Sequence, residues 1–122
     1  MSNPQPHILV VDDNQDILLT VSFILNKQGY RVSTTTRLDD LDDSIINISP
    51  NLILLDKNLG WADGCNVCRT IKQNKKLSGV AVIMFSAYYK KREECLEAGA
   101  DEFIEKPFKI DNLLRLVRSF VN

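Results

Sequence analysis

Three aspartates, a serine and a lysine each stand directly behind an apolar run. Asp12 and Asp13 follow Ile8 to Val11, Asp56 follows Leu52 to Leu55, Ser86 follows Val80 to Phe85, and Lys106 follows the short segment Glu102 to Glu105. A charge at the end of a buried run is costly unless it is paired or used. If the fold gathers these groups, three carboxylates crowd together and either raise a pKa or demand a cation. Hard oxygen donors of that kind suit Mg²⁺ better than zinc, and Mg²⁺ keeps open coordination positions that a phosphate oxygen can fill. A lysine ammonium and a serine hydroxyl can hold two further phosphoryl oxygens. Asp56 then reads as a nucleophile that forms an acyl phosphate.

The elements that would gather them are legible as an alternation. After a Pro-containing tail over residues 1–6, an apolar strand at Ile8–Val11 leads to a helix with Ile17, Val21, Ile24 and Leu25 at 3.6-residue spacing, ended by Gly29. A short strand follows over Tyr30–Ser33, then a helical stripe of Leu38, Leu41 and Ile45, then the strand Leu52–Leu55. Asp63-Gly64 opens a third helix carrying Val67, Cys68 and Ile71. Val80–Phe85 is a further strand, and residues 91–98 a helix stopped by Gly99. A strand over Glu102–Glu105 leads past Pro107 to a last helix with Leu113, Leu114, Val117 and Val121 on one side.

Five strand-helix units with strands apolar on both faces imply an α/β, doubly wound parallel sheet with helices on each face. Ligands bind such sheets at the carboxyl ends of the strands, where all five polar groups fall. At 122 residues there is room for one domain, expected to span 1–122 with a flexible tail at 1–6.

Composition narrows the function. A net charge of -1 supplies no global basic field for nucleic acid, and no stretch approaches the roughly 18 apolar residues of a membrane span. The start of the chain lacks signal-peptide features, and three cysteines cannot all pair within one chain, so a reducing cytoplasm is expected. Cys65-x-x-Cys68 has no second pair and the sole histidine, His7, lies far away in the tail; packed thiols, Cys95 included, are the expectation. Asp39, Asp40, Asp42 and Asp43 lack calcium-loop spacing and read as a solvated helix start. Lys90-Lys91-Arg92 reads as solvated charge, and Tyr88 and Tyr89 as packing or partner contacts.

Taken together, Asp12-Asp13, Asp56, Asp63-Gly64, Ser86-Ala87 and "GADEFIEKPF" from Gly99 to Phe108 resemble the receiver domain of bacterial response regulators, over essentially the whole chain. The resemblance implies a flavodoxin-like, chemotaxis-regulator-like (βα)5 fold of strand order 2-1-3-4-5. It implies Asp56 as phosphoacceptor, and Mg²⁺ held by Asp13, Asp56, the Asn58 backbone carbonyl and, mostly through water, Asp12. Lys106 and Ser86 would contact the phosphoryl group, as would the Ala87 backbone N–H, with Ser86 and Phe103 forming the switch. Phosphate would come from a sensor histidine kinase or a histidine phosphotransfer protein and be read by a downstream protein, without direct contact to nucleic acid or membrane. The domain would act as a phosphoacceptor and not as an enzyme, self-dephosphorylating slowly at most. Leu59 and Gly60 depart from the usual Asp-x-x-Met-Pro, Gly60 loosening the loop. Lys57 is a less usual neighbour of the acceptor, expected to bias local charge or to point to solvent. A phosphatase with an aspartyl-phosphate intermediate would need Asp-x-Asp where this chain has Asp56-Lys57-Asn58. A phosphate-independent interaction module is the other alternative.

Overall fold

The computed structural model describes residues 5–39 and 41–121. Asp40 lies outside the described residues, as do the side chains of Leu41, Asp42 and Tyr89. Five strands, β1 (His7–Val11), β2 (Arg31–Thr35), β3 (Leu52–Asp56), β4 (Ala81–Ser86) and β5 (Glu102–Glu105), form one sheet of order 2-1-3-4-5. Every pairing is parallel. Between them run α1 (Gln15–Lys27), α2 (Leu41–Ile48), α3 (Gly64–Gln73) and α4 (Arg92–Glu97), and α5 (Ile110–Val121) closes the chain.

Side chains alternate across the strands, so each central strand feeds two cores. Ile8, Val10, Leu52, Leu54, Ile83 and Phe85 face α1 and α5, where Val21, Leu25, Leu113 and Val117 meet them. Leu9, Val11, Ile53, Leu55, Val82 and Met84 face the opposite layer with Ile45, Val67, Cys68, Ile71 and Cys95. Burying each such aliphatic side chain contributes about 1.5–3 kcal/mol, and truncating one to alanine costs about 2–5 kcal/mol. Those two layers fix β1, β3 and β4 side by side, which is what brings their carboxyl ends together.

The local signals explain most boundaries. Asn14 caps α1, its Oδ1 accepting from the N–H groups of Asp16 and Ile17 at 2.9 and 3.3 Å. Gly29 takes φ +89° after the helix, a conformation that favours glycine. β2 starts at Arg31 instead of Tyr30, because the Tyr30 N–H still bonds the Leu25 carbonyl of α1 at 3.3 Å. Leu38 is buried ahead of α2 and not within it. α4 is shorter than the 91–98 pattern: a 3₁₀ turn, Tyr89–Lys91, precedes it, and Lys91 caps it without a side-chain hydrogen bond.

The N-terminal expectation needs correction. His7 belongs to β1 and is buried, its Nε2 2.7 Å from Ser33 Oγ and its N–H donating to Asn51 Oδ1 at 2.8 Å. Gln5 and Pro6 are tied as well. Gln5 donates to the Gly29 carbonyl at 2.8 Å, and the Pro6 carbonyl accepts from Arg31 at 3.0 Å. That bond ties Pro6 to the start of β2, and residues 1–4 of the expected tail lie outside the described residues.

Candidate functional site

The carboxyl ends of β1, β3, β4 and β5 meet where the sequence places its polar groups. One carboxylate oxygen from each of Asp12, Asp13 and Asp56 lies within 4.8 Å of the others. Asp12 is fully buried, Asp13 is exposed, and Asp56 is 5% exposed. Into this cluster Lys106 brings its ammonium, 2.7 Å from Asp12 Oδ2 and 3.4 Å from Asp56 Oδ2. The same Nζ sits 5.2 Å from the centre of the Phe85 ring, which packs beneath it.

Burial pushes the Asp56 carboxyl up to about 6; the Lys106 charge opposes this and the Asp12 carboxylate reinforces it. The Asn58 N–H donates to Asp56 Oδ1 at 3.3 Å and also favours the ion. Three hard carboxylate oxygens around one small space fit a divalent cation such as Mg²⁺, and the exposed Asp13 leaves the cluster open on one side.

Ser86 ends β4 next to Phe85, the register partner of Asp56, and is buried. Its Oγ accepts from the Tyr88 N–H at 3.1 Å, while its carbonyl accepts from the Lys106 N–H at 2.8 Å. Ala87 is exposed at the mouth of the site. Phe103 is buried in β5 within the layer that holds α3 and α4.

The loop after Asp56 is anchored and not loosened. Gly60 takes φ +79°, which a proline cannot adopt, and a Cβ there would stand 3.5 Å from Asp13 Oδ2. Asn58 pairs with Asp63 in an antiparallel bridge, Leu59 is buried, and Trp61 Nε1 donates to the Thr36 carbonyl at 2.8 Å. Of the two expectations for Lys57, the one that points it to solvent fails: it is buried, with Nζ 2.8 Å from Asp63 Oδ2 and 3.4 Å from Glu94 Oε1. Packed against α3 and α4, its side chain is 7% exposed, while its partners Asp63 and Glu94 stand at the surface.

Two features escaped the sequence. Gly64 starts α3 so close to β3 that a Cβ would lie 2.1 Å from the Asp56 carbonyl oxygen. Asp63-Gly64 was legible as a helix start, but not this approach. Nor did spacing show Phe85 as the floor under Lys106. Cys65, Cys68 and Cys95 are buried free thiols, as expected of packing residues.

This geometry has relatives. The model of the response regulator receiver domain matches residues 8–118. The chain belongs to the response regulator receiver family. It is 29% identical over 118 residues, 95% of its length and 49% of the relative's, to the DNA-binding dual master transcriptional regulator RpaA of Synechocystis. The chain spans about half the length of the curated relatives it matches. A signal receiver domain from Bermanella marisrubri is 29% identical with a TM-score of 0.88, over 98% of this chain and all of that one. The receiver domain of sensor histidine kinase PA1611 from Pseudomonas aeruginosa, solved with magnesium coordinated in its active-site cleft, is 28% identical with a TM-score of 0.85, over 97% and 98% of the two chains. The matched family is the receiver domain of two-component response regulators.

Proposed function

We propose that Asp56 is the phosphoacceptor and that the phosphoryl group arrives from a phosphohistidine on a sensor histidine kinase or a histidine phosphotransfer protein. One observation carries the assignment: Lys106 bridges Asp12 and Asp56 beside a third carboxylate, so a cation and an acid cluster surround the carboxylate that ends β3. A carboxylate oxygen of Asp56 forms the new O–P bond as the P–N bond of the donor breaks, and the electron pair leaves with the imidazole nitrogen. Asp12, Asp13, Asp56 and the Asn58 carbonyl are the groups that would hold Mg²⁺, which when bound offsets the charge shared by carboxylates and phosphoryl oxygens.

Lys106 balances charge on one phosphoryl oxygen, while the Ser86 hydroxyl and the Ala87 N–H hold others. To do so Ser86 Oγ turns from the Tyr88 N–H, and Phe103 follows it as the switch residue. The face built by α4, β5 and α5 then reads out the state to a downstream protein. Near two added charges, typical couplings of about 1–3 kcal/mol suffice to shift such an equilibrium.

The donor histidine is external. His7 is bonded to Ser33, and burial foremost, then the charge of Arg31, lowers its pKa. A protein donor also suits the surface beside the site. Ile17 and Ile24 of α1 with Phe108 and Ile110 line an apolar groove whose rim includes Ala87 and Lys106. A helix carrying the phosphohistidine can bury that groove while its imidazole reaches Asp56.

The chain acts as one receiver domain that holds a phosphoryl group and does not turn over small phosphate esters. No helix among the described residues is long and apolar enough to cross a membrane. Its setting is read as cytoplasmic, with no direct contact to nucleic acid. The test is intact mass after incubation with acetyl phosphate and Mg²⁺. One added phosphoryl group, lost with EDTA and in Asp56→Asn, is the expected result. No adduct even with phosphoramidate would leave a phosphate-independent interaction module.

A further inference from the structure

Lys57 makes a connection that the acceptor chemistry does not use. It follows the acceptor, and its side chain runs into the layer of α3 and α4. Its Nζ donates to Asp63 Oδ2 at 2.8 Å and stands 3.4 Å from Glu94 Oε1. Asp63 also caps α3, its Oδ1 accepting from the Cys65 N–H at 2.8 Å. One buried ammonium therefore joins the end of β3, the start of α3 and the middle of α4. Behind it Cys65 Sγ and Cys95 Sγ lie 3.9 Å apart, sealed from solvent. Asp63, Cys65 and Glu94 are grouped closely enough to suit a metal ion, but Lys57 already supplies the cation there.

α4 is weakly held at its start. It has six residues and no side-chain cap, and the segment leading into it is pinned at Ser86 by the Tyr88 N–H. Resting on the reading of Asp56 as acceptor, that pin is given up when Ser86 turns to a phosphoryl group. The Lys57–Glu94 contact does not depend on Ser86 and still ties α4 to the acceptor strand.

We propose that Lys57 is a tether: its ion pair with Glu94 restrains α4 in the unphosphorylated arrangement and so sets how readily the helix moves when Asp56 is modified. By linkage, whatever eases that movement strengthens binding of a phosphoryl mimic by the same factor.

The test measures the apparent Kd of beryllofluoride at saturating Mg²⁺ for the parent, Glu94→Gln, Lys57→Met, the double variant and a control, Glu97→Gln, on the same helix. Alkylation of Cys95 by iodoacetamide, followed by peptide mass, reports opening of α4. The two single substitutions change local charge in opposite senses, so a through-space effect moves the affinities apart. Loss of a tether tightens both, by about 2- to 5-fold, with no further gain in the double variant and faster Cys95 alkylation without beryllofluoride. Opposite shifts, unchanged affinities, or an equal shift in Glu97→Gln overturn the tether while leaving Asp56 as acceptor. Glu94 also pairs with Lys91 Nζ at 3.6 Å, so if Lys57→Met does not fold, Glu94→Gln against Glu97→Gln and Lys91→Gln decides, an equal shift in Lys91→Gln overturning the tether. A parent that binds no beryllofluoride overturns the acceptor reading and the tether with it.

Discussion

Lys106 stands closer to Asp12 than to Asp56, 2.7 Å against 3.4 Å, and Asp12 is the acid wholly sealed from water. The order follows from desolvation, since the carboxylate with no access to solvent gains most from a charged partner. It also leaves the buried Asp56 less completely neutralised, and burial foremost, with the Asp12 charge added, holds its carboxyl up at about 6 against the opposing charge of Lys106. One ammonium serves three acids, so the cluster retains a deficit of positive charge that a divalent ion can meet.

Replacing Lys106 by methionine keeps the aliphatic packing over Phe85 and removes the charge. The expected outcome is tighter Mg²⁺ binding by several-fold, because a competing cation is gone, together with phosphorylation by acetyl phosphate slowed by about 10-fold or more. Calorimetric titration with Mg²⁺ and the time course of intact mass measure the two. Weaker Mg²⁺ binding would show that Lys106 organises the acids more than it competes for them.

Asp56 also links function to stability. Its folded pKa of about 6 lies above the unfolded value of 3.8, so the folded state binds more protons between them and stability falls as pH rises through that window. Well above pH 6 the penalty is fully present, about 3 kcal/mol at most. Asp56→Asn removes it. In EDTA the variant should be more stable than the parent at pH 7.5, with the gain shrinking toward zero as pH approaches 4. Urea denaturation of both proteins across that range checks the sign.

The alternation of elements and the edge that gathers Asp12, Asp13, Asp56, Ser86 and Lys106 were legible because continuous apolar runs have few ways to be buried, and parallel strands end together. What was not legible depends on contacts between segments distant in sequence. His7 looked like tail because its partners, Ser33 and Asn51, lie 26 and 44 residues away. For Lys57 the sequence does not choose between a local charge and a solvated one, because Glu94 meets it only after α4 folds over β3. Gly60 looked like slack until its φ of +79° showed a turn that the usual proline would not permit. The strand order came from the family resemblance, since alternation alone leaves it open.

The three cysteines should be chemically silent. Burial foremost pushes the Cys65 thiol up to about 12 and the Cys68 thiol up to about 11, and raises that of Cys95. At pH 8 almost none is thiolate, the form that reacts. In the native parent, iodoacetamide should modify none of them over a period in which urea-unfolded protein takes up three equivalents. Rapid native labelling would place at least one thiol in a segment that opens readily.

Gly64 tests how closely the acceptor depends on its neighbour. A Cβ at this position would stand 2.1 Å from the Asp56 carbonyl oxygen and 2.9 Å from Lys57 Cα, both backbone atoms that cannot swing aside. The Gly64 N–H also donates to the Lys57 carbonyl at 2.7 Å, so α3 cannot back away without losing that bond. Gly64→Ala should therefore destabilise the fold by about 1–3 kcal/mol or more, as overpacking does. It should also displace Asp56, slowing phosphorylation under conditions where the variant remains folded. Urea denaturation measures the first effect and the initial rate of acyl phosphate formation the second. A stable variant that is phosphorylated at the parent rate would mean that the start of α3 can shift without carrying the end of β3 with it.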